Sequence, residues 1–268
     1  MPYLLMHSSA QHAKSCVCIE QNDNDAAMKD ELFKSADYGP EGFVFDQRVS
    51  EVFDDMVSRS VPGYATIQLL VADLANRFAT EAPVYDLGCS TGNTLLAILK
   101  RAGSKPLKLV GIDNSEPMLK ECRQKLPKEG PHEVLLAEHD LTTLNELPYG
   151  PASVIILNLV LQFIPPIYRQ DLLKSLYDQL NPGGCILIVE KTLQESEPIN
   201  KLYIDYYHQY KEEMGYTQME ISNKREALEN KLIPFQADKN IDLLKKAGFT
   251  QIAPFFQWMN FQGYLGIK

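Results

Sequence analysis

Residues 84–93 read VYDLGCSTGN. Four residues of strand character, Val84 to Leu87, stop at a run of small residues, Gly88-Cys89-Ser90-Thr91-Gly92. A helical pattern, NTLLAILKRAG, follows and closes at Gly103. A strand passing through a small-residue turn into a helix is the opening unit of an open parallel sheet, and such sheets bind ligands beyond the carboxyl ends of their strands. Gly88 and Gly92 lack Cβ atoms, which lets a ligand approach the backbone. Exposed N–H groups and a helix N-terminus beyond them favour a carboxylate or phosphate. A plain strand-to-helix turn has the same signature, so the loop needs support from elsewhere.

The alternation continues downstream. LKLVGID predicts a strand and SEPMLKECRQKL a helix with Ser115 as its N-cap. HEVLLAEHD is a strand, and ASVIILN is a strand without polar alternation, as expected when both faces are buried. PIYRQDLLKSLYDQL is a helix, LNPGG at 180–184 a turn, and GCILIVEK another buried strand. IDLLKKAGF is a helix stopped by Gly248, and QIAPFFQ and WMNFQGYLGIK are closing strands that pair antiparallel. Upstream, FDQRVSEVFDDMVSRS and TIQLLVADLANRF are amphipathic helices. The pattern is α/β, with a mainly parallel sheet covered on both faces. Residues 195–231 are charged, tyrosine-rich and helical, with a break at Met214-Gly215. Residues 1–28, which include EQNDNDAA, have weak periodicity and are expected to be a flexible extension ahead of a single domain over 29–268.

The 268 residues suffice for one large core, and a formal charge of −9 disfavours tight nucleic-acid binding across the surface. The longest apolar run, ASVIILNLVLQFI, is broken by Asn158 and Gln162 and falls short of a membrane span. The N-terminus lacks a basic leader, so the expected location is cytoplasmic. Five cysteines, an odd number with no CxxC pair, argue against a disulfide scaffold. Cys16 and Cys18 have no nearby partners for a metal, and none is expected.

Three further strand ends carry polar side chains. Asp113 closes the second strand, where a carboxylate can accept both hydroxyls of a ribose. An N-cap role is the plainer reading, but Ser115 already fills it. The Gly-x-Gly-x-x-Gly of dinucleotide folds is absent, so a nucleoside without pyrophosphate fits better, and S-adenosylmethionine best. Asp140 follows the third strand, as an adenine neighbour or a solvated loop acid. Asn158 interrupts the fourth strand, beside a sulfonium or as a satisfied core amide.

The chain resembles the class I S-adenosylmethionine-dependent methyltransferases and, within them, the carboxy-S-adenosyl-L-methionine synthases of wobble-uridine (5-oxyacetyl uridine) tRNA modification. The likeness runs from about Lys29 to Lys268. It is carried by FDQRVSEVFDDMVSRSVPGY, VYDLGCS, GIDNSEPM, LNLVLQFIPP, LNPGG, GYTQMEISNKREALEN and FFQWMNFQGYLGIK. RSVPGY and EISNKREALEN are far more specific than the glycine loop. The resemblance implies a Rossmann-like, mainly parallel seven-stranded sheet with an antiparallel C-terminal strand. It also implies a helical cap over 29–80 and a helical insertion over 195–231.

By the same resemblance, Tyr64 contacts the cofactor from the cap, and Gly88, Cys89 and Ser90 form its loop. Asp113 and Asn114 hold the ribose and adenine side, and Asp140 and Leu141 flank the base. Asn158 sits near the reacting centre, and Arg225 pairs with a carboxylate on the modified methyl carbon. Tyr64, Asn158 and Arg225 are the catalytic candidates. A guanidinium has no use beside an ordinary methyl group but matches a carboxylate in bidentate geometry. The plainer role of Arg225 is an exposed pair with Glu229 one helical turn on.

The family chemistry implies that prephenate loses carbon dioxide as its ring aromatises and that the deprotonated sulfonium methyl captures it. No side chain stands out as a general base. The implied assembly is a homodimer, with no direct nucleic-acid or membrane partner. The loop CSTGNT and the acids of YKEEMGY depart from the family pattern, and the acids predict a patch near the pocket unfavourable to a dianion. A conventional small-molecule methyltransferase and a non-catalytic binding protein are the rival readings.

Overall fold

Val84–Leu87 forms strand β1, and all four residues are buried. The computed structural model describes residues 28–34 and 42–268. Two helices precede β1: α1 (Gln47–Ser60) and α2 (Tyr64–Phe78). After it come α3 (Asn93–Ala102), β2 (Lys108–Asp113), α4 (Glu116–Lys125), β3 (Glu133–Glu138) and β4 (Ala152–Asn158). A single 3-10 turn, Leu161–Phe163, leads to α5 (Pro166–Gln179) and β5 (Leu180–Leu193). The chain ends with α6 (Glu197–Glu213), α7 (Gln218–Ala227), β6 (Phe235–Gln236), α8 (Ala237–Ala247), β7 (Gln251–Trp258) and β8 (Phe261–Ile267).

The sheet order is β3-β2-β1-β4-β5-β8-β7, with β6 beside the end of β5. Strands β1 to β5 pair parallel, whereas β8 runs antiparallel to both β5 and β7. The order reverses between β1 and β4, which opens a crevice at their carboxyl ends. β4 shows why its sequence lacks polar alternation. Val154 and Ile156 pack toward α2 and α3, while Ile155 and Leu157 pack toward α5 and α8.

Three sequence expectations need correction. LNPGG is not a separate turn. Leu180 pairs with Ala152 and Cys185 with Val154, so the residues between form a bulge within β5. The chain's last residue holds this bulge: the Gly183 N–H donates to the Lys268 carbonyl at 3.0 Å. Helix α8 starts at Ala237, about one turn before the apolar run at Ile241, because its first turn is polar and carries no periodicity. The short strand β6 was not anticipated.

Caps match expectation. The Ser115 hydroxyl accepts from the Met118 N–H, and Gly103 and Gly248 close their helices. Of the expected extension, residues 1–27 lie outside the described residues. The segment after it, residues 28–34, docks on α1 and α7. Asp30 and Phe33 are buried there, the Asp30 N–H donates to Asp55 Oδ2 at 2.6 Å, and Asn223 Nδ2 donates to the Phe33 carbonyl.

Candidate active site

The turn after β1 is rigid, and the reasons differ from those expected. Gly88 and Gly92 have φ of 76° and 82°, which favour glycine. A Cβ on Gly88 would stand 2.5 Å from Val160 Cγ2, and one on Gly92 would stand 2.6 Å from Cys122 Sγ. The fold itself therefore requires both glycines, ahead of any ligand. The loop N–H groups are also occupied: Gly88 and Cys89 donate to the Ile112 carbonyl, Ser90 to Asp113 Oδ2 and Gly92 to the Cys89 carbonyl. Those four donors do not form an anion cradle, contrary to the sequence reading. Ser90 itself has φ of 51°, uncommon for a residue with a side chain.

Asp113 cross-links this loop to the next helix. Its Oδ2 accepts from the Ser90 N–H at 2.8 Å and its Oδ1 from the Ser115 N–H at 3.0 Å. Burial raises its pKa against the pull of these N–H groups. Each oxygen keeps a lone pair for a further donor. Asp86, passed over in the opening stretch, is fully buried in β1 with Oδ2 lacking a partner. Burial, helped by the charge of Asp113, pushes its pKa up to about 8. Asn114, Asp140 and buried Leu141 line the same end of the cavity. The Asp140 carboxylate accepts from Thr142 N and Oγ1, both at 2.8 Å, which fixes the loop.

At the end of β4, Asn158 Nδ2 donates to Thr94 Oγ1 at 3.3 Å, but its buried Oδ1 has no partner. It is not a satisfied core amide. The next residue, Leu159, has φ of 64°. Glu190 holds the turn that follows, accepting from the N–H groups of Val160, Leu161 and Gln162 at 3.2, 2.7 and 2.9 Å. Burial pushes Glu190 up to about 8 despite these bonds. This anchor sets Val160 against Gly88. Tyr64 opens α2 and accepts from Asn93 Nδ2 at 3.2 Å, and burial raises its phenol pKa. Asp54 of α1 accepts from Thr91 Oγ1 and Asn93 Nδ2, tying the helical cap to the glycine loop.

The opposite wall is basic. Arg225, on α7, lines the cavity from an exposed position and forms no ion pair among the described residues, Glu229 included. Lys191, Lys211 and Lys224 line the cavity beside it. Burial lowers their pKa values, to about 8 for Lys191 and Lys224 and about 7 for Lys211. Lys224 has a carboxylate, Asp30, at 3.8 Å, and donates to Ser60 Oγ at 2.9 Å. Glu212 and Glu213, expected as an acidic patch, are exposed and do not line the cavity. Successive helical residues point about 100° apart, so Lys211 faces inward while its acidic neighbours face water. Glu226 and Glu229 do line the cavity, from exposed positions.

The cavity encloses about 1530 Å³ and brings together every site residue that the resemblance implied, while Gly92 of the loop is not in its lining. The sequence reading missed Asp86, Glu190, Lys191, Tyr207, Lys211 and Lys224. Only Asp86 carried a local signal, as an acid within the otherwise apolar first strand. Among the described residues, no group of His, Cys, Asp or Glu is placed to hold a metal ion, and no helix is long and apolar enough to cross a membrane.

Residues 84–184 match the family described as "Methyltransferase domain". The fold is similar to an O-methyltransferase family protein from Burkholderia thailandensis, with a TM-score of 0.61 and 18% identity over 89% of this chain and 66% of that one. Human N-acetylserotonin methyltransferase aligns with a TM-score of 0.56 and 18% identity, over 88% of this chain and 57% of that one. These likenesses establish a class I methyltransferase fold. Sequence likeness is closer elsewhere. The carboxy-S-adenosyl-L-methionine synthase of Methylococcus capsulatus is 40% identical over 90% of this chain and 99% of its own length. That of Wolinella succinogenes is 44% identical over 90% of this chain and 99% of its own. At this identity over nearly full length, the chain belongs to the carboxy-S-adenosyl-L-methionine synthase family.

Proposed function

We propose that the protein converts S-adenosyl-L-methionine and prephenate to carboxy-S-adenosyl-L-methionine and phenylpyruvate. The observation that carries this reading is Arg225: a guanidinium on the cavity wall with no ion-pair partner among the described residues, in a chain of this family. S-adenosyl-L-methionine, when bound, supplies the sulfonium methyl that receives the new carboxyl group. The donor's ring gives up carbon dioxide and hydroxide, the methyl carbon gives up a proton, and proton and hydroxide leave as water. One carbon–carbon bond breaks in the donor and one forms at the methyl carbon.

The chain's own residues would act by binding, orientation and water exclusion. Asp113 would accept the ribose hydroxyls, with Asn114, Asp140 and Leu141 around the base. Gly88, Cys89 and Ser90 would border the amino-acid end. The unpaired oxygen of Asn158, at the strand end nearest the reacting centre, suits a cationic ligand. Tyr64 would close the site from the cap. Arg225 would stabilise the new carboxylate as it forms.

The product would serve a separate enzyme of tRNA wobble-uridine modification in the cytoplasm, so direct nucleic-acid binding is not required. A homodimer is supported by α6, where Ile199, Leu202 and Tyr206 form an exposed apolar stripe at helical spacing. Conventional methyl transfer is the alternative, favoured by the fold alone. Mass spectrometry of the ligand that co-purifies with the protein separates the two. The expected species is S-adenosylmethionine heavier by one carbon dioxide, whereas S-adenosylhomocysteine alone would favour methyl transfer.

A further inference from the structure

The function proposed above leaves Lys191 and Lys211 without a role. Lys191 lies at the carboxyl end of β5 and Lys211 in the last turn of α6. Their Nζ atoms stand 4.5 and 5.1 Å from the centroid of one ring, Tyr207. That ring is fixed: Tyr207 Oη donates to the Ser60 carbonyl at 2.9 Å, and the ring packs on Phe261. Neither ammonium has an ion-pair partner among the described residues, whereas neighbouring Lys224 has Asp30. The other titratable groups near them are Lys224, which acts on Lys211, and His208, whose pKa burial and these cations lower and on which Arg225 also acts. Asp30 acts on Lys211 from a distance but is already engaged by Tyr216 and Lys224, and Asp205 acts on His208.

Sequestered cations without a counter-ion oppose folding. A ring face offsets only part of that cost. Two such groups, both open to one cavity, are explained if an anionic ligand completes them. Their place in the sheet says which ligand. Asp113 ends β2 and Lys191 lies near the carboxyl end of β5, three strand spacings away, or roughly 14 Å. Between them Asn158 of β4 pairs with Val189, two residues before Lys191. The lysines therefore lie beyond the reacting centre as seen from the adenosine end.

We infer that Lys191 and Lys211, held on Tyr207, seat the carboxylate that the second substrate keeps, while Arg225 receives the carboxylate that is transferred. This rests on the reaction proposed above. A dianion that loses one carboxylate to the methyl carbon needs two cationic seats, and only the retained group must stay anchored as the ring departs. The lysine pair thus fixes which end of the donor faces the methyl carbon.

The test uses Lys191→Met and Lys211→Met in the full chain. Calorimetry measures prephenate binding to the S-adenosylmethionine-loaded protein, and turnover gives its KM. Both constants are expected to rise about tenfold or more, the loss for a bond to a charged group. Affinity for S-adenosylmethionine should stay within about twofold. The ligand-free melting temperature should hold or rise, because an unpaired cation has gone. Lys211→Arg, which keeps the charge, should recover part of the prephenate affinity. Unchanged prephenate affinity in both Met variants overturns the inference. So do equal losses for both ligands with a lower melting temperature, which mark a structural role, and failure of the wild-type chain to bind prephenate. If the wild-type chain binds prephenate through these lysines but makes no carboxylated cofactor, the proposed reaction falls and the seat stands.

Discussion

The two walls of the cavity are built for opposite charges. On one stands the carboxyl of Asp113, with Asp86 buried near it inside β1, and burial raises the pKa of both. On the other, Lys191, Lys211 and Lys224 are amines whose pKa values burial lowers. In both cases the ligand-free protein penalises the charged form, and a ligand of the opposite sign relieves the penalty. A sulfonium with an ammonium suits the acidic wall, and a dianion suits the basic one. The walls also differ in construction. The acidic wall comes from one run of chain, 84–115, and is held by backbone hydrogen bonds. The basic wall is assembled from β5, α6, α7 and the docked segment 28–34. The first binding half is therefore local, and the second depends on tertiary packing.

Asp30→Ala should have the largest effect, on stability. Asp30 is the resident carboxylate of the basic wall, accepting from Tyr216 Oη at 2.6 Å and facing Lys224. Without it Lys224 is a buried cation with no ion-pair partner, a loss of roughly 3–5 kcal/mol. Denaturant unfolding reads this directly, and a loss below about 1 kcal/mol would mean that the segment 28–34 is not coupled to the wall. Asp113→Ala should come next, weakening S-adenosylmethionine binding by a few kcal/mol in a folded chain. It would remove the two proposed ribose acceptors along with the bond that orders Ser90. Unchanged affinity by calorimetry would take Asp113 out of the site.

Arg225→Ala should separate two ligands that differ by one carboxylate. Affinity for carboxy-S-adenosylmethionine should fall by about 1.5–3 kcal/mol or more, while affinity for S-adenosylmethionine barely moves. Arg225→Lys should recover part of the loss, since an ammonium lacks the planar fork. Equal loss of both ligands would assign Arg225 to the fold or to the cofactor's amino-acid end. Asp86→Asn should have the smallest effect, and one that depends on pH. The folded pKa of Asp86, about 8, lies above the ordinary 3.8, so its contribution to stability is full below pH 4 and is lost as pH rises through 8. The ligand-free variant should match the wild type near pH 4 and exceed it by about 1 kcal/mol or more at pH 8. Melting curves at the two pH values check this. A variant less stable at pH 8 would show that the carboxylate is satisfied when charged, and the contrast between the walls would weaken.

The difference between the walls also explains what could be read from the sequence. The strands and helices from 84 to 193 follow from uninterrupted apolar runs, capping residues and helix-stopping glycines, all local signals. Asp113 and Asn158 stood out because they end strands. The glycine loop was found, but the causes of its glycines were not, since Val160 and Cys122 meet it only in the folded chain. Lys191 and Lys211 were illegible for a different reason. α6 buries one residue fully, and that residue is Lys211, so no apolar stripe announces the buried face. Its neighbours Glu212 and Glu213 suggested an acidic surface, which exists but faces away from the site. The bulge in β5 depends on Lys268, far along the chain, and β6 is too short to have a period.

The central claim is that a carboxyl group passes from prephenate to the cofactor's methyl carbon. The direct measurement supplies ligand-free protein with S-adenosylmethionine and prephenate isotopically labelled at its ring carboxylate. Mass spectrometry then follows the label. The account predicts that it appears in carboxy-S-adenosylmethionine, in step with unlabelled phenylpyruvate. Release of all the label as free carbon dioxide, with the cofactor unchanged or merely demethylated, would contradict it.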